Sequence, residues 1–501
     1  MTPSTEIKPN LTSGRLLARN TIWNLLGLIS PLAVGLVAVP TLIRVMGVTR
    51  FGVLSLAWVV IGYFSLFDLG IGRAMTKLIA DKLAAHEEQS IPPLVWTCLL
   101  LMLILGSVGG LVLAGITPWV VDRILKVPSD LAFETRWAFW LLAISIPTVT
   151  VTSGLRGILE AQQRFGILNL IRIPMSVFSF VGPLLVLPFS HSLVPVMSVL
   201  VLGRIIGMIA HLFACFHSMP AIRQHFCLDR AVVAPMVKFG GWLTVSNVVG
   251  PIMVYMDRFL VGALLSVGAI AYYSAPFDMV SRLWIISGAM VSVLFPAFAV
   301  TLLQDPSRTG LLLVRGSKYI FLTIFPIVLV ITTLAPEGLR LWLGEGFVQN
   351  STTVLRLLAA GVFVNCLAQV PFVLIQSAGR ADITAKLHVA ELPLYVLAVW
   401  LLTKRLGIEG TAIAWAGRSI VDALLVCWLA HRFLPAKTRF LSVVTIGSAS
   451  GLLLLYLSTL VHPLVLKLEF LAVALLGFVL IVWLLMLDPQ ERALVSSKLG
   501  R

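Results

Sequence analysis

The sequence predicts an all-α polytopic membrane protein with about fourteen transmembrane helices. Three observations carry that prediction. Of the 501 residues, 59% are hydrophobic and 12% charged, and the mean hydropathy is +1.00. Soluble domains carry roughly 25% charge, and so few charged groups could not cover the outside of a soluble chain this long. Leu, Ile and Val also come in runs of about twenty, the length of a helix crossing the hydrocarbon and twice that of a barrel strand. Lys and Arg then cluster at alternate ends of these runs, as loops held on the cytoplasmic side do.

The elements follow in order. Residues 1–19 are polar, with Lys8, Arg15 and Arg19, and form a cytoplasmic segment. The run Thr21 to Ile43 is too long for a signal-peptide core and lacks a good cleavage site, so it is an uncleaved first span, 20–45. The second, 52–72, ends on Gly70 and Gly72 and leads into the amphipathic Met75–Ala85. Spans at 93–116, 137–158, 166–189 and 192–216 complete an N-terminal six-helix bundle, 20–216. A cytoplasmic linker, 217–238, precedes a second bundle, 239–431, with spans at 239–263, 278–300, 317–335, 351–377, 386–403 and 407–431. The stretch 264–277 joins either neighbour. Helices thirteen and fourteen, 440–461 and 463–487, and a cytoplasmic tail, 488–501, end the chain. A faint repeat at an offset of 219 pairs Trp23 with Trp242, Val48 with Val267 and Ser55 with Ser274.

With the N-terminus inside, internal segments hold 23 Lys and Arg and external ones 9, and five lie within spans. Every internal segment has two or three, which fixes both termini in the cytoplasm and accounts for the net charge of +15 without nucleic acid. The longest connections, 73–92, 117–136 and 217–238, leave no room for a soluble catalytic domain. There is no Gly-Lys dipeptide, hence no Walker A loop, and no Asp-x-Asp of metal-dependent glycosyltransferases. The five cysteines form no C-x-x-C, and the eight histidines no i,i+3 or i,i+4 pair, so neither a metal site nor a cofactor is expected.

An ionisable group in the hydrocarbon costs at least about 2.5–3.5 kcal/mol, so those retained are informative. Asp278/Arg282 and Arg418/Asp422 are spaced i,i+4, where each pair can neutralise itself on one helix face. Asp257 and Arg258 are adjacent, point apart, and need partners elsewhere. Arg204 lies beside Gly203 and Gly207, a spacing that packs helices closely and leaves the Arg flanking a cavity. Arg356 reads as snorkelling at an external end, and Glu391 as interfacial. Asp68 sits near the internal mouth, within reach of Arg73. All five intramembrane cations are Arg, which stays charged when desolvated and grips phosphate oxygens bidentately; a cavity lined by them suits a phosphate or diphosphate.

Several stretches resemble a known family. They are Arg19-Asn20-Thr21-Ile22-Trp23-Asn24-Leu25-Leu26-Gly27, Met46-Gly47-Val48-Thr49-Arg50-Phe51-Gly52 and Phe67-Asp68-Leu69-Gly70-Ile71-Gly72-Arg73-Ala74, with Tyr255-Met256-Asp257-Arg258-Phe259-Leu260 and Leu339-Arg340-Leu341-Trp342-Leu343-Gly344-Glu345 further on. In order and spacing they are similar to Wzx-type O-antigen and exopolysaccharide repeat-unit flippases of the multidrug/oligosaccharidyl-lipid/polysaccharide exporter superfamily. The resemblance implies two bundles around a central cavity that alternates between inward- and outward-open states. The cargo would be an undecaprenyl-diphosphate-linked oligosaccharide, moved to the periplasmic leaflet of a bacterial inner membrane. It also implies a cationic cavity lined by helices one, two, seven and eight, which points to Asp68, Arg73, Asp257, Arg258, Asp278 and Arg282. On this reading Arg258, Arg282, Arg204 and Arg73 contact cargo, while Asp68, Asp257, Asp278, Arg418 and Asp422 form a coupling or charge network. Membrane lipids, a polysaccharide polymerase and chain-length machinery are the implied partners. Three alternatives are a peptidoglycan lipid-precursor flippase, a cation-coupled drug exporter and a membrane polymerase. The exporter is disfavoured because the span 20–45 holds no carboxylate, and the polymerase because no long periplasmic loop exists.

Overall fold

The computed structural model describes residues 14–66, 71–85, 87–162, 164–224, 227–229, 252–434, 440–487 and 492. Among the described residues the ordered elements are all helical, and no strand occurs. That is the expected answer of a chain in lipid, where every backbone group must find its partner within its own segment. Among the described residues nine helices are long and apolar enough to cross a membrane, and the stretches Ser30–Met46, Val48–Gly62 and Val444–Thr459 are shorter apolar ones. The chain divides into two compact units, Met1–Ala271 and Tyr272–Arg501. The expected linker at 217–238 lies partly outside the described residues; the division between the compact units falls within a helix.

In the first unit, α1 (Gly14–Met46) and α2 (Val48–Leu66) are joined by Gly47 alone. Its φ of +82° is open to glycine without a steric penalty, so one residue makes the turn. The amphipathic α3 (Ile71–Ala84) follows. Next, α4 (Ile91–Trp119), with Pro in its first turn, packs along α5 (Ser129–Ala161). Gly106 makes that approach possible: a Cβ there would overlap Thr150 Oγ1 and lie 2.7 Å from Pro147 Cα. Further on, α6 (Phe165–Val186) and α7 (Leu193–Ser218) meet where a Cβ on Gly203 would stand 2.7 Å from the Phe178 ring, the close packing its spacing predicts. The short α8 (Pro220–Gln224) is tied to α4 by Trp96 Nε1 donating to Ile222 O at 2.9 Å. Ile71 and Met75 of α3, Cys98 and Met102 of α4, Ile158 of α5 and Cys215 of α7 form one buried core.

Helix α9 is described over 252–264, and α10 (Val267–Ser281) carries the division between the units. Two expectations change here. The stretch 264–277 forms most of a helix of its own. The span expected as 278–300 is broken at Arg282–Leu283, where Leu283 N turns back to Val280 O and Ile285 N to Arg282 O, both at 3.1 Å. The offset of 219 aligns the first residue of α2, Val48, with that of α10, Val267, and two buried serines, Ser55 and Ser274; Trp242 lies outside the described residues.

The second unit continues through α11 (Trp284–Gln304) to α12 (Pro306–Thr333). Asp305 caps α12, its carboxylate accepting Arg308 N–H at 3.1 Å, and Pro306 fills the first position. The nine-residue α13 (Ala335–Leu343) leads through Gly344 into α14 (Glu345–Ser377), the most enclosed span, with 78% of its apolar stretch buried. Such a helix is apolar on all sides because protein surrounds it. The 51 residues of α15 (Ala381–His431) are two arms that reverse at Gly407 (φ +63°, ψ −144°). Across the reversal the hydroxyls of Thr403 and Thr411 meet at 2.8 Å. Helices α16 (Phe440–Thr459) and α17 (Leu464–Ile481), the latter closing in a π turn Val482–Met486, end the described chain apart from Arg492. Each of the fourteen expected spans has a counterpart, the seventh only in part.

Candidate charge network and cargo residues

The best-defined buried charges lie between the arms of α15. The first arm presents His388, Glu391 and Tyr395 at i, i+3 and i+7, one face of a helix. The second arm presents Arg418 and Asp422 at i,i+4. Reversal at Gly407 sets the faces together: Arg418 Nη1 lies 3.8 Å from Glu391 Oε2, and His388 Nε2 3.6 Å from Asp422 Oδ1. The Arg418 guanidinium stands 5.2 Å from the centre of the Tyr395 ring. From α14, Phe372 stacks on the His388 imidazole at 5.8 Å. Glu391 and Asp422 are only 7% and 6% exposed. Both contacts exceed hydrogen-bond length, and neither Glu391 oxygen, nor Asp422 Oδ1, nor Arg418 Nε has a hydrogen-bond partner. Two carboxylates thus face one guanidinium and one imidazole.

One expectation is corrected: Arg418 and Asp422 do not neutralise each other along their own helix; each pairs with the opposite arm. Glu391 is covered by the second arm. Arg356 Nε donates to Thr332 O at 3.1 Å and closes an open carbonyl at the end of α12. The reading missed His388 and Tyr395. Their signal was present, a polar stripe at helical spacing on an apolar span, but its partner stripe becomes a neighbour only once the chain reverses at Gly407.

In the first unit, Asp257 and Arg258 on α9 are 0% and 4% exposed. The Asp257 carboxylate accepts the Arg258 backbone N–H at 2.7 Å, and the Arg258 guanidinium lies 5.6 Å from the Tyr255 ring. Arg204 is half-buried on α7. Asp68 lies outside the described residues; Arg73 is in the first turn of α3, but its side chain is not described. In the second unit, Asp278 is half-buried near the end of α10, and Arg282 is exposed in the break before α11. The continuous helix that would hold this pair on one face therefore ends between them. No cluster of three or more His, Cys, Asp and Glu suited to a metal occurs among the described residues, and the five cysteines are unbridged.

One polar tie fixes the last span. Lys467 Nζ of α17 donates to Glu337 Oε1 of α13 at 2.8 Å, and Lys467 is 3% exposed. Burial pushes the Glu337 carboxyl up, but the Lys467 bond and the charges of Lys467 and Arg340 outweigh it and hold it below its ordinary 4.5.

The fold defines a class before the sequence defines a family. The chain aligns with an inward-facing multidrug resistance MATE family transporter of the MOP superfamily at a TM-score of 0.70, with 14% identity, covering 83% of this chain and 99% of that one. It aligns with the lipid II flippase MurJ in an inward closed conformation at 0.68, also with 14% identity, covering 98% and 100%. The fold is that of these polytopic transporters. By sequence, the chain belongs to the polysaccharide biosynthesis protein family, whose profile matches residues 17–302. It is 31% identical over 415 residues to the "Putative O-antigen transporter" of Shigella flexneri, covering 83% of this chain and 97% of that one. It is 21% identical over 413 residues to the lipopolysaccharide biosynthesis protein WzxC of Escherichia coli (strain K12), covering 80% and 78%.

Proposed function

We propose that this chain is a flippase that carries an undecaprenyl-diphosphate-linked oligosaccharide from the cytoplasmic to the periplasmic leaflet of a bacterial inner membrane by alternating access. It is a transporter and not an enzyme, and both termini are cytoplasmic. Family membership and the kinship with an O-antigen transporter support carriage of lipid-linked polysaccharide. The observation that carries the finer reading is ionisable groups kept buried inside apolar spans of each unit, against a cost of at least about 2.5–3.5 kcal/mol apiece. In the first unit these are Asp257 and Arg258; in the second, Glu391, Arg418 and Asp422. Arg258 is the anion ligand for the diphosphate, with Arg73, Arg204 and Arg282 as further cations along its path. Asp68, Asp257 and Asp278 balance them. The α15 network is the coupling element, since two buried carboxylates there face one guanidinium and one imidazole across the two arms. A polysaccharide polymerase and its chain-length machinery are the natural receivers of the product.

The test is a deletion strain complemented with wild type or Arg258→Ala. Lipid-linked oligosaccharide should accumulate in the cytoplasmic leaflet, clear with wild type, and persist with a normally expressed Arg258→Ala. Absence of accumulation in the deletion strain would overturn the flippase reading; clearance by both proteins would remove Arg258 from the site.

A further inference from the structure

Three helices of the first unit carry cationic side chains to one depth. Arg156 of α5, Arg172 of α6 and His211 of α7 stand about 8–11 Å inside the ends of their helices, at 1.5 Å per residue. Packing sets them side by side. Cβ atoms on Gly203 and Gly207 would meet Phe178 and Met175, so α7 runs antiparallel to α6 and its next turn brings His211 to the level of Arg172. Cys215 Sγ donates to Leu155 O at 3.3 Å, which holds the Arg156 turn of α5 against the same stretch of α7. The charge of Arg156 accordingly acts on both Arg172 and His211.

The group lacks its counter-charge. Glu160, one turn beyond Arg156, acts on Arg172 from a distance. Among the described residues neither guanidinium makes an ion pair or a hydrogen bond, and Arg156 Nε is buried without a partner. His211 is 3% exposed; its Nδ1–H donates to Gly207 O at 2.7 Å, and Nε2, on the far side of the ring, has no partner. In the imidazolium form that nitrogen is a third donor. Like charges held together out of water repel, and an anion among them relieves the repulsion. Donors on three helices suit an anion whose oxygens point in three directions, as those of phosphate do, and not a planar carboxylate with two. Arg204, seven residues earlier on α7 and so on the face of His211, places another cation two turns deeper.

We propose that Arg156, Arg172 and His211 bind a phosphate group, at a site on helices other than that of Arg258. The two guanidiniums grip its oxygens from α5 and α6, and His211 closes the third side from α7. The ligand is defined by its phosphate, whether a lipid headgroup or a soluble anion brings it. That the site opens towards the cytoplasmic leaflet rests on the proposed topology; the binding itself does not depend on the flippase reading.

Native mass spectrometry of the purified full-length chain tests it with three probes: farnesyl diphosphate, phosphatidylglycerol and inorganic diphosphate. At least one should bind, and Arg156→Gln and Arg172→Gln should each weaken it about tenfold, the equivalent of one charge-assisted hydrogen bond. The loss should recur when each is combined with Arg258→Ala. Arg156→Lys/Arg172→Lys should retain part of the affinity, and Arg164→Gln, an exposed cation between α5 and α6, all of it. Binding of farnesyl diphosphate alone would identify a lipid diphosphate, of phosphatidylglycerol alone a bilayer lipid, and of inorganic diphosphate as well a soluble anion. Without ligand, Arg172→Gln should hold or raise the thermal midpoint, because it removes a repulsion. Failure of every probe to bind would overturn the proposal, as would an equal loss in Arg164→Gln, which marks diffuse attraction to a basic surface. A ligand-free midpoint lowered in both Gln variants would overturn it too, by showing that the guanidiniums serve the packing of the helices.

Discussion

Arg418 lies against the Tyr395 ring with Glu391 as its carboxylate partner, so removing either charge strands the other where water does not reach. Leaving one member of a buried pair alone costs about 3–5 kcal/mol, whereas replacing both with apolar groups of similar size is far milder. Glu391→Leu and Arg418→Met should each lower the thermal midpoint in detergent well below that of the double variant, and a double-mutant cycle measures the difference as a coupling energy. The same logic of space applies at Gly106. Ala would bring Cβ onto Thr150 Oγ1 and Pro147, and overpacking of this kind costs about 1–3 kcal/mol; the melting curve of Gly106→Ala reads it directly. At this scale the sequence was legible for Gly203, where glycine spacing foretold a close contact. It was not legible for His388, whose partner lies 34 positions along the chain.

Among elements, α15 owes its shape to one residue. Gly407 holds φ +63° and ψ −144°, a region that side chains avoid at a cost of about 1–3 kcal/mol. Gly407→Ala should lengthen both the 3.6 Å and the 3.8 Å contacts, because each depends on the register of the arms. Cysteines placed at 388 and 422 should cross-link less readily in that variant than in its parent. The tie between α13 and α17 gives a pH test. A carboxyl held below 4.5 in the folded state contributes stability above that value and loses it as pH falls through its folded value. Lys467→Met should therefore lower the thermal midpoint near neutral pH, and the difference from wild type should shrink below pH 4.5. Helix existence was plain in the sequence, since each run of about twenty apolar residues announces a span. The break at Arg282–Leu283 was not, because hydropathy continues across it while the backbone does not.

For the whole molecule, the proposed cargo carries roughly two negative charges, and an inside-negative potential of 100 mV would favour its export by about 4–5 kcal/mol. If potential drives transport, vesicles whose potential is collapsed with valinomycin and potassium should lose flipping even with the proton gradient intact. If the α15 network couples transport to protons, the proton gradient should matter instead, and Glu391→Gln should abolish its effect. All-α polytopic architecture could be read from composition together with the length of the apolar runs. The arrangement of buried charge could not, because it depends on which apolar faces meet, and leucine-rich faces look alike in sequence.

The reversal at Gly407 also bears on how the chain enters the bilayer. The first arm alone would bring His388 and Glu391 into lipid, and the second alone Arg418 and Asp422, each group opposed by at least about 2.5–3.5 kcal/mol if charged. Side by side they satisfy part of that demand in each other. With almost no loop between them, the second arm leaves the ribosome directly behind the first. The two arms are then best inserted together, as a hairpin whose charges are matched before either faces the acyl chains.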